Sequence, residues 1–139
     1  MAVGDAMLQV GSGTSELARG LAELGTILDR HGVGQRPRFQ AELVFEELVS
    51  NVIRYGYDDQ ELHMVQVDVR VDPKNLVLVV SDDGRPFNPL ERADPALPDD
   101  IADAAIGGLG IMLVRKAARS VAYERTGGRN RLTVTIARA

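Results

Sequence analysis

A chain of 139 residues, 45% of them hydrophobic, is the size of one domain with one buried core, and no apolar run approaches the roughly 20 residues that span a bilayer. A formal charge of -4, with no basic stretch of the kind that neutralises nucleic-acid phosphates, makes neither nucleic acid nor membrane an expected partner. The absence of cysteine excludes disulfides and thiolate metal sites; the first residues carry no basic region followed by an apolar stretch, so no secretion signal is expected and the expected location is the cytoplasm.

In chain order, Met7 to Val10 reads as a short strand. Ser12 or Thr14 can cap a helix running to about Arg30, whose Leu17, Leu21, Leu24 and Leu28 share one face, and Gly32 and Gly34 end it. Pro37 suits a first helical turn, and residues 38–55 carry an apolar stripe of Val44, Phe45, Leu48, Val49 and Val52 before Gly56. From Met64 to Val71, valines alternate with polar residues as in a half-buried strand; Asp72-Pro73-Lys74-Asn75 reads as a turn and Leu76 to Ser81 as the partner strand. Four prolines among scattered acids make Gly84 to Ile106 a long loop, a length that within a compact domain usually signals either function or disorder. Leu109 to Ala118 reads as a helix, Val121 to Arg125 as a strand, Gly127-Gly128-Arg129-Asn130 as a turn and Leu132 to Ala137 as the last strand. The order β-α-α-β-β-loop-α-β-β, with its consecutive hairpins, predicts an α/β two-layer sandwich: a mixed, mostly antiparallel sheet with helices on one face, one domain over 1–139.

Three segments carry candidate chemistry. Glu47 and Asn51, four apart, share one helical face at the edge of the apolar stripe. The carboxamide oxygen of Asn51 is a hard neutral ligand suited to Mg²⁺, and Glu47 one turn away can take the proton of an attacking hydroxyl. Both also fit as ordinary flank residues of an amphipathic helix. Glu46 points about 100° further round the helix and suits the base role less well. Next, an apolar strand ends in Ser81-Asp82-Asp83-Gly84, where an acid can accept a hydrogen bond from an adenine amino group and a glycine lets backbone approach a flat base; Asp-Gly is equally a common turn dipeptide. Third, Gly107-Gly108-Leu109-Gly110 opens a helix whose N–H groups can meet phosphate, or serves as a plain loop-to-helix junction. No Gly-Lys-Ser/Thr follows, so this is not a Walker motif. The histidines, His31 and His63, read as surface residues.

The order of these segments resembles the nucleotide site of the Bergerat-fold (GHKL) superfamily of gyrases, heat-shock chaperones, histidine kinases and mismatch-repair ATPases, and within it the chain looks most like the anti-sigma-factor serine/threonine kinases. The likeness runs from about Arg38 to the C-terminus and extends loosely into the first helix. Matching the superfamily's Asp-x-Gly-x-Gly box assigns the adenine contact to Asp82 and the first glycine to Gly84, with Pro86 standing where the second glycine would be. Gly108 and Gly110 match the Gly-x-Gly box, so that Gly107, Gly108, Leu109 and Gly110 lie at the phosphates. The resemblance further implies an ATP lid over 85–106 and a final-strand polar residue near the base, Thr133 or Asn130. It implies ATP and Mg²⁺ as cofactors, a serine of an anti-sigma-factor antagonist as phosphoacceptor, a sigma factor as second partner, and a homodimer. The alternatives are an ATP/ADP-binding switch without phosphotransfer, a plain ATPase, and an interaction domain with no nucleotide.

Overall fold

The computed structural model describes residues 4–13, 15–59, 61–91 and 109–138. Its elements are β1 (Gly4–Gly11), α1 (Glu16–Arg30), α2 (Gln35–Tyr55), β2 (Met64–Val71), β3 (Asn75–Asp82), a 3₁₀ turn (Pro89–Glu91), α3 (Leu109–Ala117), β4 (Ser120–Thr126) and β5 (Arg129–Ala137). The five strands form one sheet in the order β1-β2-β3-β5-β4, antiparallel at every pairing.

Alternation decides which face the helices cover. Val65, Val67, Val69 and Val71 of β2, Leu76, Leu78 and Val80 of β3 and Leu132, Val134 and Ile136 of β5 are all buried on one side. Against them pack Leu24 and Leu28 of α1, Val44, Phe45, Leu48 and Val49 of α2, and Ile111 and Val114 of α3. The opposite sheet face carries Asp5, Gln66, Asp68 and Arg70, as an uncovered face requires. The two-layer α/β expectation therefore holds, with the sheet wholly antiparallel.

Element ends differ from expectation for local reasons. β1 already includes Gly4 to Ala6, because pairing with Val69 to Val71 of β2 outweighs the weak strand propensity of Gly-Asp-Ala. Ser12 caps no helix; its hydroxyl accepts the His63 N–H at 3.2 Å, while Ser15 occupies the N-cap without a side-chain bond. α2 starts at Gln35, which puts Pro37 third in the helix, where its missing N–H has no intrahelical acceptor to lose. The last turn is shorter than its sequence suggests. Gly127 and Gly128, both at positive φ, make the tight two-residue hairpin alone, so Arg129 and Asn130 belong to β5.

Of the expected lid, only 85–91 is among the described residues; 92–106 lies outside them, as do Gly107 and Gly108.

Candidate functional site

β3 delivers Asp82 to the end of the sheet, 3% exposed and directly opposite Asn130 of β5. Asp82 Oδ1 accepts the Gly84 N–H at 2.9 Å and the Asn130 Nδ2–H at 3.0 Å. Both bonds fall on one oxygen, so Oδ2 is the acceptor left for a ligand. Asn130 is bonded on every side: Nδ2 also donates to the Arg85 carbonyl at 2.7 Å, and Oδ1 accepts the Phe87 N–H at 3.2 Å and the Tyr123 hydroxyl at 2.5 Å. One buried carboxamide thus joins β3, β4, β5 and the segment after Gly84.

That segment is held from several sides. Arg85 pairs with Asp58, its N–H reaches the Gly56 carbonyl at 2.9 Å, and Arg125 donates to the Gly84 carbonyl at 2.7 Å. Gly84 has no room for a side chain: a Cβ there would stand 2.5 Å from the Gly56 carbonyl oxygen. Beyond it the Phe87 ring stacks on Tyr55 at 5.6 Å.

These elements enclose a cavity between α2 and the sheet. Leu48, Val52, Val80 and Leu132 form apolar walls, Phe87 and Tyr123 are aromatic neighbours, and Asn51, Asp82 and Asn130 supply polar atoms. An apolar slot with one buried carboxylate suits a flat heterocycle bearing an amino group. Its volume is about 30 Å³, space for a water or two.

Asn51 lines the same cavity at 6% exposure, and its amide bonds to no other described residue. A buried amide left open on a cavity fits the one-oxygen ligation that Mg²⁺ takes when phosphates and water fill its other positions. One turn earlier, Glu47 is half-buried, and the backbone of Gly110, second residue of α3, lies against its carboxylate: a Cβ on Gly110 would come 2.1 Å from Oε2. Burial raises the Glu47 pKa above the usual carboxylate range and Glu46 adds to this, while Arg54 opposes it. Leu109 and Gly110 are the first described residues of α3.

Thr133 is the misplaced expectation. It pairs with Val79 and Ala122 on the sheet face away from the helices, because the period of two that buries Leu132 and Val134 turns Thr133 outward. Asn130, the other candidate, is the β5 residue that reaches the cavity. Tyr123 and Tyr57 escaped sequence reasoning. Tyr57 donates to Asp83 at 2.7 Å and stacks on His63 at 3.7 Å; burial, the bond to Asp83 and the charges of Asp82 and Asp83 push its phenol pKa up. Of only six aromatic residues, three Phe and three Tyr, the structure gathers Tyr55, Tyr57, Phe87 and Tyr123 at this end. Neither histidine is fully exposed, since His31 bonds the Ile27 carbonyl at 2.9 Å and His63 lies on Tyr57.

The family of histidine kinase-like ATPase domains matches residues 14–136. The chain is similar to the serine/threonine-protein kinase BtrW of Bordetella bronchiseptica, 27% identical over 100 residues, which are 72% of this chain and 70% of that protein. Among solved structures, the RsbU and RsbW domains of Rv1364c from Mycobacterium tuberculosis superpose with a TM-score of 0.69 at 14% identity, over 98% of this chain; it spans about a third of that longer chain, 33%. The SiaB-SiaC complex from Pseudomonas aeruginosa gives 0.60 at 17% identity, covering 95% of this chain and 89% of the other. These structures share its fold. No helix among the described residues is long and apolar enough to cross a membrane.

Proposed function

Since the chain belongs to the histidine kinase-like ATPase domain family, we propose that it is an ATP-dependent protein serine/threonine kinase and anti-sigma factor, acting in the cytoplasm as a homodimer. It phosphorylates a serine of an anti-sigma-factor antagonist and alternately sequesters a sigma factor. The observation that carries the nucleotide reading is Asp82, a buried carboxylate in an apolar slot with both protein bonds on Oδ1. The protein-kinase reading draws support from the likeness to BtrW, and the antagonist and the sigma factor follow from the resemblance of the three sequence segments to the anti-sigma-factor kinases.

Asp82 Oδ2 accepts the adenine amino group, and Leu48, Val52, Val80 and Leu132 exclude water from the base. The phosphates extend toward the start of α3, where Gly107 to Gly110 offer backbone N–H groups. Asn51 would hold Mg²⁺ through its amide oxygen, and the ion would supply neutralisation of the phosphate charge. Glu47 takes the proton from the antagonist's serine as that oxygen bonds to the γ-phosphorus and the bond to the β-phosphate oxygen breaks, releasing ADP. Its raised pKa strengthens it as a base.

The test is single-turnover transfer from γ-labelled ATP to antagonist proteins encoded near this chain, with nucleotide and sigma-factor binding measured on the same samples. Asn51→Ala should weaken Mg-ATP binding and abolish transfer; Glu47→Ala should slow transfer about 10²- to 10⁴-fold with affinity nearly intact. Wild-type protein that binds ATP and a sigma factor yet labels no antagonist would replace the kinase with a nucleotide-dependent switch.

A further inference from the structure

Six basic residues far apart in sequence fall at element ends on the side of the domain away from the cavity. Arg30 closes α1, Arg36 opens α2, Lys74 lies in the β2–β3 turn, Lys116 and Arg119 end and follow α3, and Arg138 follows β5. The length of β3 separates them from the cavity: Asn75 opens it beside Ala137 and Asp82 closes it, seven steps or roughly 24 Å. The Arg138 N–H donates to the Lys74 carbonyl at 2.9 Å, and its guanidinium reaches the carbonyls of Asp72 at 2.7 Å, Gly32 at 3.3 Å and His31 at 3.4 Å. Arg119 donates its N–H to the Thr135 carbonyl at 2.7 Å and its guanidinium to Asn75 Oδ1 at 3.1 Å.

Arg36, Arg119 and Arg138 border a groove of about 420 Å³ floored by Pro37, Ala117 and Ala118. Among the described residues no carboxylate forms an ion pair with any of the three; Arg119 and Arg138 rest on neutral oxygens. Of the nearby acids, Asp29 pairs with Arg38, while Asp72 accepts the N–H groups of Lys74 and Asn75 and lies within reach of the charges of Arg138 and Arg70. Acids outnumber bases in the chain, 20 to 16, so this end has the sign opposite to the whole. Beside Arg36, three residues on along α2, the Phe39 ring is 68% exposed.

From this pairing of arginines that form no ion pair among the described residues with an exposed aromatic ring, we infer that the basic end docks a partner protein through an acidic segment that carries an apolar side chain. The carboxylates lie in the groove against Arg36, Arg119 and Arg138, and the apolar group covers Phe39. Arginine and aromatic side chains are the usual anchors of protein interfaces. A nucleic acid fits less well, since the net charge repels a polyanion and the groove is short and floored with alanine and proline. The inference is independent of the nucleotide reading.

The test titrates ¹⁵N-labelled protein with a short synthetic peptide of Asp and Glu around one Leu, with its Asn/Gln analogue, and with a short DNA duplex. The acidic peptide should shift amides at Arg36, Phe39, Arg119 and Arg138 and weaken with salt. The pair Arg36→Glu and Arg119→Glu should reduce its affinity at least about 10-fold, and Phe39→Ser about 5-fold or more, with unfolding temperatures unchanged. If the pair misfolds, Arg36→Glu alone serves, because that exposed side chain bonds to nothing else described. No binding, equal binding of the neutral analogue, or shifts confined to other surfaces would overturn the inference. So would tighter binding of the duplex, or sedimentation showing a dimer that Phe39→Ser dissociates, which would give the face to a second copy of the chain.

Discussion

Because Asp82 holds its two protein bonds on Oδ1, Asp82→Asn tests its role more sharply than truncation. The amide oxygen can keep the Gly84 and Asn130 bonds, which turns an N–H₂ donor toward the ligand's amino group. ADP affinity should fall about 5- to 150-fold, the equivalent of about 1–3 kcal/mol, with little change in unfolding temperature; calorimetry and a thermal melt read both. Glu47 behaves in the opposite sense. Its folded-state pKa is raised by burial, so its contribution to stability is greatest below the ordinary carboxylate pKa and is lost as pH rises through the raised one. Glu47→Gln should therefore raise the unfolding temperature more at pH 8 than at pH 4 while slowing phosphotransfer. In wild type, transfer should decline on acidification with a midpoint above the usual carboxylate value. Equal stabilisation at both pH values would contradict a desolvated Glu47.

At the scale of elements, the junction of α2 with the β3 end is set by backbone contact. Gly84→Ala places a methyl group 2.5 Å from the Gly56 carbonyl oxygen, an overpacking that should cost about 1–3 kcal/mol in urea denaturation. Tyr123→Phe removes one bond to Asn130 and should cost about 0.5–1.5 kcal/mol. These contacts explain what the sequence could and could not reveal. The valine alternation of β2 and the stripe of α2 are periodic, so strand, helix and buried face were readable from them. Asp82 was readable because an acid ends an apolar strand. The role of Asn130 depends on register: with Gly127 and Gly128 making the whole turn, Asn130 falls opposite Asp82 and Thr133 falls outside. A reading that lengthens the turn by two residues loses that distinction. Tyr57 and Tyr123 were hidden for a related reason, since no local pattern announces contact across 26 residues to Asp83 or across a hairpin to Asn130.

For the molecule as a whole, the strand order makes the C-terminal segment central to the sheet. β5 lies between β3 and β4 and bonds to both, although it is last in sequence. Truncation before Arg129 should therefore leave β4 without a neighbour and remove the cooperative unfolding transition, as circular dichroism on heating would show. It would also remove Leu132, Val134 and Ile136 from the single core. The mirror loss of β1, an edge strand paired only with β2, should leave a weakened but cooperative transition.

The crowding of tyrosines around the cavity gives the protein an optical reporter of its own. Tyr55 stacks on Phe87, Tyr57 is tied to Asp83, and Tyr123 touches both the cavity and Asn130. With no tryptophan in the chain and no fourth tyrosine, its intrinsic ultraviolet emission originates wholly from the cavity end. Adenine entering beside Tyr123 should alter that emission directly, so occupancy can be followed in unlabelled protein once the nucleotide's own absorbance at the excitation wavelength is corrected for. The basic end, about 24 Å away, should stay dark in the same measurement, and engagement there would leave the signal unchanged.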